Sequence, residues 1–425
     1  MATSPQLRTD PRPGDDRTER GSAKPTAVRE PRNAVQRRLW LKFHLYIGLF
    51  AGTIFVLAGL TGSLIVFADD IDAWLNRAIM KVPMPAEAAS PRPLDELLAA
   101  AQTAMPDDAT PIYVTFPPQP NRALAVEYGR AADGLPDEED RFQVFVDPYT
   151  ARVTGQRPLE LADSTFGGPL TQILIELHYN LLLGPIGTTL VGIVAIFLLV
   201  SVVTGIIVWW PRNGKWGKAL TIKRRASGER LNFDIHKTFG IYSAVILLVI
   251  LFTGVYMNLP EYVTPIIELF SPAPGWPEDV VSEQPEDGAE PITAGQAIAR
   301  SEQIFNDGEL MGLALPQSPE ESFVIRRRAP DEVTHTYPHR QIWIDQFSGE
   351  VLAVNDPHTY SAGQKFVEWQ YPLHSGEAFG LTGRLIVLAT GIVPSVLYVT
   401  GFIRWLQKRR AASTKRERVA ASRQG

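Results

Sequence analysis

The chain has 425 residues, a formal net charge of -5 and no cysteine. The absent thiols exclude disulfides, an iron–sulfur cluster and a covalent c-type haem, which needs Cys-x-x-Cys-His. A mean hydropathy of -0.03 averages four apolar runs with two polar segments of more than a hundred residues each, so the net charge says little about partners.

Residues 1–36 are rich in Arg, Pro and Asp, the composition of a disordered tail, and nothing there resembles a cleaved signal peptide. The first apolar run, Leu39 to Phe67, is close to or above the roughly 20 residues that cross a bilayer as a helix, which predicts a span over 37–68. It opens on His44, with Gly48 four residues on and Thr61-Gly62 starting seventeen residues on. A polar segment, 69–170, follows. Its Pro-rich stretch Lys81 to Pro93 reads as a tether, Pro93 to Met105 has helical spacing, and Ile112 to Phe116, Ala123 to Tyr128 and Phe142 to Val146 alternate as half-buried strands.

His178 then precedes the run Pro185 to Trp210, with Thr204-Gly205 starting twenty-six residues on, so 171–211 reads as an interfacial segment and a second span. A basic loop, 212–235, leads to His236, which opens a third span over 236–259 with Gly240 and Thr253-Gly254 in the register of the first. The second polar segment, 260–370, has a tether over Ser271 to Pro291, helical spacing over Thr293 to Phe305 and strands over Ser322 to Arg326 and Arg340 to Ile344. His374 precedes Thr400-Gly401 as His178 precedes Thr204-Gly205, predicting an interfacial segment and fourth span over 371–407. A basic tail, 408–425, ends the chain.

Charge orients these spans. Residues 1–42 hold ten Lys/Arg, 211–235 hold seven against two acids, and 403–425 hold eight against one. The polar segments are the reverse, with eight basic and seventeen acidic residues over 68–170 and six against nineteen over 259–372. The positive-inside rule therefore places both termini in the cytoplasm and both polar segments outside. The halves repeat: His44 to His236 is an offset of 192, His178 to His374 of 196, and Asp147 to Asp345, each starting a turn after an alternating strand, of 198. The expected architecture is a four-helix transmembrane bundle from an internal duplication, carrying two outer α+β domains.

Four histidines in matched register point to ligation, because interfacial decoration has no reason to preserve the distance to a Gly and a Thr-Gly. Depth sets the pairing. A span of about 30 Å is too long for one iron to draw a ligand from each face, so His44 pairs with His236 and His178 with His374. With no cysteine available, two b-type haems held by these four side chains are the expected cofactors. Gly48 and Gly240, one turn from their histidines on the same face, would clear space for the porphyrin, or simply let helices approach. Thr61 and Thr253 fall near the outer pair and Thr204 and Thr400 near the inner one, lining those pockets or satisfying backbone.

Other candidates read more plainly. Glu176 and Glu377 stand as solvated acids or as acceptors for an imidazole N–H; Arg326, Arg327 and Arg328 as a solvated strand, with Arg327 on the opposite face, or as an anion site; His335 and His339 as solvated loop residues. His358 receives no role. Tyr179, Trp369 and Tyr371 flank the outer histidines as haem wall, docking surface or interfacial belt.

Asp147-Pro-Tyr-Thr150 and Ser348-Gly-Glu-Val351 in the outer segments, with Leu41-x-x-His44-x-x-x-Gly48 and Asp234-x-His236-x-x-x-Gly240 opening spans, resemble the PepSY-associated transmembrane helix family over roughly residues 35–410. One departure is Thr150-Ala151-Arg152, where the pattern prefers Gly-Glu; it bears on the turn type, since Ala tolerates positive φ poorly. The resemblance implies an α-helical bacterial inner-membrane protein with periplasmic PepSY-like domains, haem on His44, His178, His236 and His374, and ferri-siderophore reductase relatives.

The expected function is a haem-dependent electron conduit that takes electrons from a cytoplasmic or quinone donor and reduces a ferric siderophore or other ferric chelate in the periplasm. Membrane lipid is an expected partner and nucleic acid is not. Two rivals stand beside it: a non-catalytic PepSY-type sensor or protease-modulating protein with structural histidines, and the same conduit serving copper, a quinone or an extracellular protein. No G-x-G-x-x-G, P-loop, H-E-x-x-H or G-x-S-x-G motif competes.

Overall fold

The computed structural model describes residues 32–84, 89–132, 134–212, 214–277, 280–283, 288 and 290–422. The first apolar passage is two helices, α1 (Arg32–Phe50) and α2 (Gly52–Ile65), followed by α3 (Ala68–Leu75) and α4 (Arg77–Met80). Helix α5 (Leu94–Gln102) precedes strands β1 (Thr110–Thr115), β2 (Leu124–Ala132), β3 (Leu135–Val146) and β4 (Val153–Glu160). Helices α6 (Leu170–Asn180) and α7 (Gly184–Trp209) lead back through the bundle to the short α8 (Trp216–Leu220). The second half runs α9 (Gly228–Asn258), α10 (Pro260–Glu268), α11 (Ala294–Ile304), β5 (Glu309–Ala314), β6 (Phe323–Arg328), β7 (Gln341–Ile344), β8 (Val351–Asn355), α12 (Ala362–Glu368), α13 (Gln370–Ser375) and α14 (Gly380–Ala421).

Helices α7, α9 and α14 are each long and apolar enough to cross a membrane, and α1 with α2 makes a fourth span when the bent pair is counted as one. The chain is thus a helical membrane protein with three to four candidate spans and an antiparallel sheet. The first span is bent by 58°, which departs from the single helix expected over 37–68. No proline causes the bend, which falls at Ala51 between Gly48 and Gly52; a Cβ on Gly52 would stand 2.5 Å from the Tyr398 ring of α14, so the break lets two helices touch. Residues 1–31 of the expected disordered tail lie outside the described residues, as do 85–88, 278–279, 284–287 and 289 of the expected tethers. Residues 32–36 already belong to α1, and the tail expected after 407 continues α14 to Ala421. The first extension holds Arg, Ala and Gln and the second is rich in Ala, Lys and Arg, which propagate a helix already nucleated by the span. Helix α9 likewise begins eight residues before His236, capped by the Ser227 side chain.

Around the bundle α1 packs on α7, α7 on α9, α9 on α14, and α14 on α2. Small residues set the close crossing of α2 and α14: a Cβ on Gly59 would meet the Gly391 carbonyl at 2.5 Å, and Ser63 Oγ donates to the Leu388 carbonyl at 2.9 Å. In an apolar surrounding, close approach and shared hydrogen bonds hold helices together where burial of apolar surface cannot.

The two polar segments do not form separate sheets. Their strands make one eight-stranded sheet in the order β4-β3-β2-β1-β5-β6-β7-β8, symmetric about the β1–β5 seam. There Tyr113, Val114 and Thr115 pair antiparallel with Ala314, Leu313 and Gly312. Pairing β1 with β5 removes two exposed edges at once. Helices α5 and α11 cover one face, over a core that includes Leu97, Val114, Val126, Leu313, Ile325 and Ile342. Each such side chain contributes about 1.5–3 kcal/mol against about 0–1 for an exposed ion pair, so the apolar face sets the stability. Against the opposite face, α4 packs Ile79 and Met80 on Val82, Ala123, Ala125 and Phe145. A bidentate pair from Arg157 on β4 to Asp72 on α3, at 2.8 and 2.7 Å, ties that face to the bundle.

Candidate functional site

Four imidazoles meet in two pairs, as the depth argument required. The ring centroids of His44 on α1 and His236 on α9 are 6.1 Å apart, with planes crossed at 78°. Those of His178 on α6 and His374 on α13 are 6.0 Å apart and crossed at 69°. Helices α6 and α13 are short and stand just outside the long spans. Asn180 and the left-handed Leu181 and Leu182 turn the chain from α6 into α7, with the Asn180 side chain accepting from the Leu182 N–H at 2.7 Å. After α13 the same task falls to Gly376 and Gly380, both at positive φ.

Each ring is held from a neighbouring helix through Nδ1. His44 Nδ1 donates to the Ser201 carbonyl at 2.9 Å, His236 Nδ1 to Leu397 at 3.1 Å, His178 Nδ1 to Ala58 at 2.9 Å and His374 Nδ1 to Ile250 at 3.0 Å. A carbonyl can only accept, so the proton sits on Nδ1 and the lone pair on Nε2. Among the described residues no hydrogen bond engages Nε2 of any of the four. The rings are half-buried, and nothing lies within 4 Å of where a Cβ on Gly48 would stand. Gly240 has only Leu397 Cδ2 nearby, at 3.7 Å.

These facts fit a group that brings its own equatorial donors. With metal–nitrogen bonds of about 2.0 Å, two imidazoles binding one ion from opposite sides have ring centroids roughly 6 Å apart, the spacing of both pairs. Among the described residues no group of three or more His, Cys, Asp or Glu is arranged to hold a bare metal ion. A haem needs only two axial nitrogens from the protein, and each site offers two. The pairs are well separated: Thr253, bonded to His374, lies 17 residues along α9 from His236, about 25 Å at 1.5 Å per residue.

The threonines stand beside the histidines named for them. Thr61 Oγ1 lies 3.2 Å from His178 Nδ1, Thr253 Oγ1 2.9 Å from His374 Nδ1, and Thr400 Oγ1 2.9 Å from His236 Nδ1. Thr204 instead donates to the Ser201 carbonyl that holds His44. The sequence argument missed the glycine of each Thr-Gly pair. Positions for a Cβ on Gly62, Gly205, Gly254 and Gly401 fall 2.8, 3.1, 3.3 and 3.3 Å from Cε1 of His178, His44, His374 and His236. The repeat of Thr-Gly with the histidines was the available signal.

The outlying candidates sort by contact. Neither Glu176 nor Glu377 bonds an imidazole. Glu176 accepts from Gln172, and Glu377 is no free surface acid but takes the backbone N–H of His335 and Thr336 and the Thr336 hydroxyl, pinning the 331–337 loop beside the outer pair. Tyr371 meets Tyr337 edge-on at 4.8 Å, while Tyr179 and Trp369 remain exposed. Strand alternation puts Arg327 on the opposite face as expected, but the strand is not solvated, since none of the three arginines is exposed. Arg327 is buried near Glu302, Arg328 pairs with Glu309, and Arg326 lies over the rings of Tyr113 and Trp276. His335 is exposed, but His339 is not a solvated loop residue. It packs on Trp276 and Tyr360, and burial, aided by the Arg326 charge, pushes its pKa down to about 4. His358 is clamped between Asp356 and Asp331, whose hydrogen bonds raise its pKa.

In comparison with protein families, residues 41–408 match the PepSY-associated TM region. No curated protein matches the chain.

Proposed function

The chain belongs to the PepSY-associated TM region family, and from that premise we propose that it is a transmembrane electron conduit with two b-type haem sites, formed by His44 with His236 and by His178 with His374. The carrying observation is the doubled imidazole pair, 6.1 and 6.0 Å between centroids, with Nδ1 anchored at all four rings and, among the described residues, no hydrogen bond at Nε2. Haem bound between such a pair supplies a one-electron Fe(III)/Fe(II) couple.

The protein's part is positioning and environment. Each carbonyl fixes one ring's tautomer and orientation and raises the basicity of its Nε2. The bundle stacks the two pairs about 25 Å apart along α9. An internal duplication accounts for the repeated offsets, for the sheet's symmetry about β1–β5, and for the way α1 leans on α7 as α9 leans on α14. In this reading, and by the positive-inside rule, the His44–His236 end faces the cytoplasm and the sheet faces the periplasm of a bacterial inner membrane. A cytoplasmic or quinol donor would serve the first pair. The acceptor is a ferric chelate on the sheet side, in the first instance a ferri-siderophore, whose hard oxygen donors hold Fe(II) less tightly than Fe(III).

An absorbance spectrum with haem quantification tests this directly. Purified protein, expressed with ample haem, should carry roughly two acid-acetone-extractable, low-spin haems per chain. In liposomes with reductant inside, it should reduce a ferric chelate outside. Less than one haem per chain would sink the proposal and leave the sensor reading standing.

A further inference from the structure

We infer that the four Thr-Gly pairs are docks for the histidines, with the glycine admitting each imidazole to a helix carbonyl, and that the dock of His178 at Gly62 is the tightest of the four. This deepens the haem reading but rests on it only for what the docked rings go on to bind.

The construction is the same four times. The carbonyl that receives Nδ1–H belongs to the residue three before the threonine: Ala58 before Thr61, Ser201 before Thr204, Ile250 before Thr253, Leu397 before Thr400. In an α-helix that carbonyl already accepts from the N–H four residues on, which is the glycine of the pair. The imidazole is therefore a second donor and must approach from the side, along the glycine. A methyl there would stand 2.8 Å from His178 Cε1 at Gly62, a distance that forces movement, and 3.1, 3.3 and 3.3 Å from the other rings at Gly205, Gly254 and Gly401. Glycine within a helix costs about 1 kcal/mol relative to alanine, and here the cost accompanies a side-chain contact at every occurrence.

The threonine completes the dock. Its hydroxyl donates into its own helix at the carbonyl three or four back, which leaves its lone pairs facing outward. At Thr61, Thr253 and Thr400 these share the Nδ1 proton. At Thr204 the Ser201 hydroxyl takes that place, 3.3 Å from His44 Nδ1. In the outer pair the tighter dock belongs to His178, at Gly62, against His374, at Gly254. In the inner pair Gly205 and Gly401 are alike, at 3.1 and 3.3 Å from the rings of His44 and His236.

The test is a series of single Gly→Ala variants of the full-length protein, each read in two ways. One is the histidine 15N NMR spectrum of protein prepared without haem, which reports tautomer and Nδ1 hydrogen bonding. The other is the optical spectrum and midpoint potential of protein prepared with haem. Gly62→Ala should abolish the His178 Nδ1 signature and alter the spectrum of one haem only. Gly205→Ala, Gly254→Ala and Gly401→Ala should each shift the Nδ1 signature of their own histidine, by less than Gly62→Ala shifts that of His178. If Gly62→Ala does not fold, Thr61→Val, Thr253→Val and Thr400→Val should each move the Nδ1 resonance of their own histidine, and Thr204→Val should move that of His44 least. Unchanged His178 signals in folded Gly62→Ala, a reversed order in the series, or three silent threonine variants would overturn the docks. A protein that binds no haem yet shows the NMR pattern would end the haem reading and keep the docks; one that binds two haems without the glycine ranking would do the opposite.

Discussion

Removing the histidines two at a time tests the pairing most sharply, because the two arrangements predict different haem counts from variants with the same number of lost ligands. The pairs share no side chain and lie about 25 Å apart along α9. Each ring hangs from a different helix: His44 from α7, His236 from α14, His178 from α2 and His374 from α9. Truncating His44 and His236 together therefore strips both axial nitrogens from one site and leaves the other intact, so His44→Ala/His236→Ala should hold roughly one haem per chain. The crossed variant His44→Ala/His178→Ala leaves one nitrogen at each end, two half-sites of weakened hold, and should fall well below one. The carbonyls that lose an imidazole keep their helical N–H partners, so each half-buried His→Ala should cost only about 1 kcal/mol and the variants should stay folded. Acid-acetone extraction and haem quantification per chain, with circular dichroism to verify folding, supply the assay. The reasoning fails if the folded inner double variant loses both haems, or if the crossed variant still holds two.

Four further outcomes follow from the fold. Asp72→Ala should lower stability by about 1–3 kcal/mol, since Arg157 loses its carboxylate and keeps only its bonds to Gln143; Asp72→Leu combined with Arg157→Met should recover most of the loss, and a thermal shift indistinguishable from zero for Asp72→Ala would contradict the tie between sheet and bundle. Glu368 is buried, and burial, with the Glu332 charge beside it, pushes its pKa from 4.5 to about 7. The folded state thus holds its proton more tightly than the unfolded state, so this group's contribution falls as pH rises from about 4.5 to 7 and is level above that. His339, lowered to about 4, acts in the opposite sense between about 4 and 6.5, so the comparison of Glu368→Gln with the parent isolates the carboxyl: the variant should gain stability relative to the parent across that window, and parallel pH curves would disprove it. Ala151 holds φ 55° where the matching turn in the second half has Gly349 at 70°, so Ala151→Gly should stabilise by roughly 1 kcal/mol, measured as a rise in melting temperature. Reporter fusions at Gly217 and Ala411 should read cytoplasmic and those at Gly134 and Gly288 periplasmic; a cytoplasmic signal from either of the latter would invert the assigned faces.

Much of this was legible in the sequence because the relevant quantities are local and periodic. Span length, basic flanks and the fixed distances from His44, His178, His236 and His374 to their glycines and threonines are one-dimensional, and a helix turns residue number into depth at a constant rise. That rule alone predicted which histidines could meet. The turns at Asp147 and Asp345 were equally readable, since an Asp side chain bonds the N–H two residues on in both.

Tertiary structure decided what depends on lateral contact. The bend at Ala51 brings Gly52 against Tyr398, a partner more than three hundred residues away that the sequence does not name. The single sheet comes from β1 meeting β5, a pairing between strands that each alternate like any half-buried strand and carry no mark of their partner. Gly62, Gly205, Gly254 and Gly401 had only their register to mark them in the sequence, and in the fold an imidazole stands against each. Glu377 turned from surface acid to loop anchor, and His339 from solvated to packed, for the same reason. Sequence order sets how deep a group lies along a helix, but the azimuth it faces and the neighbour it meets there are fixed only when the helices pack side by side.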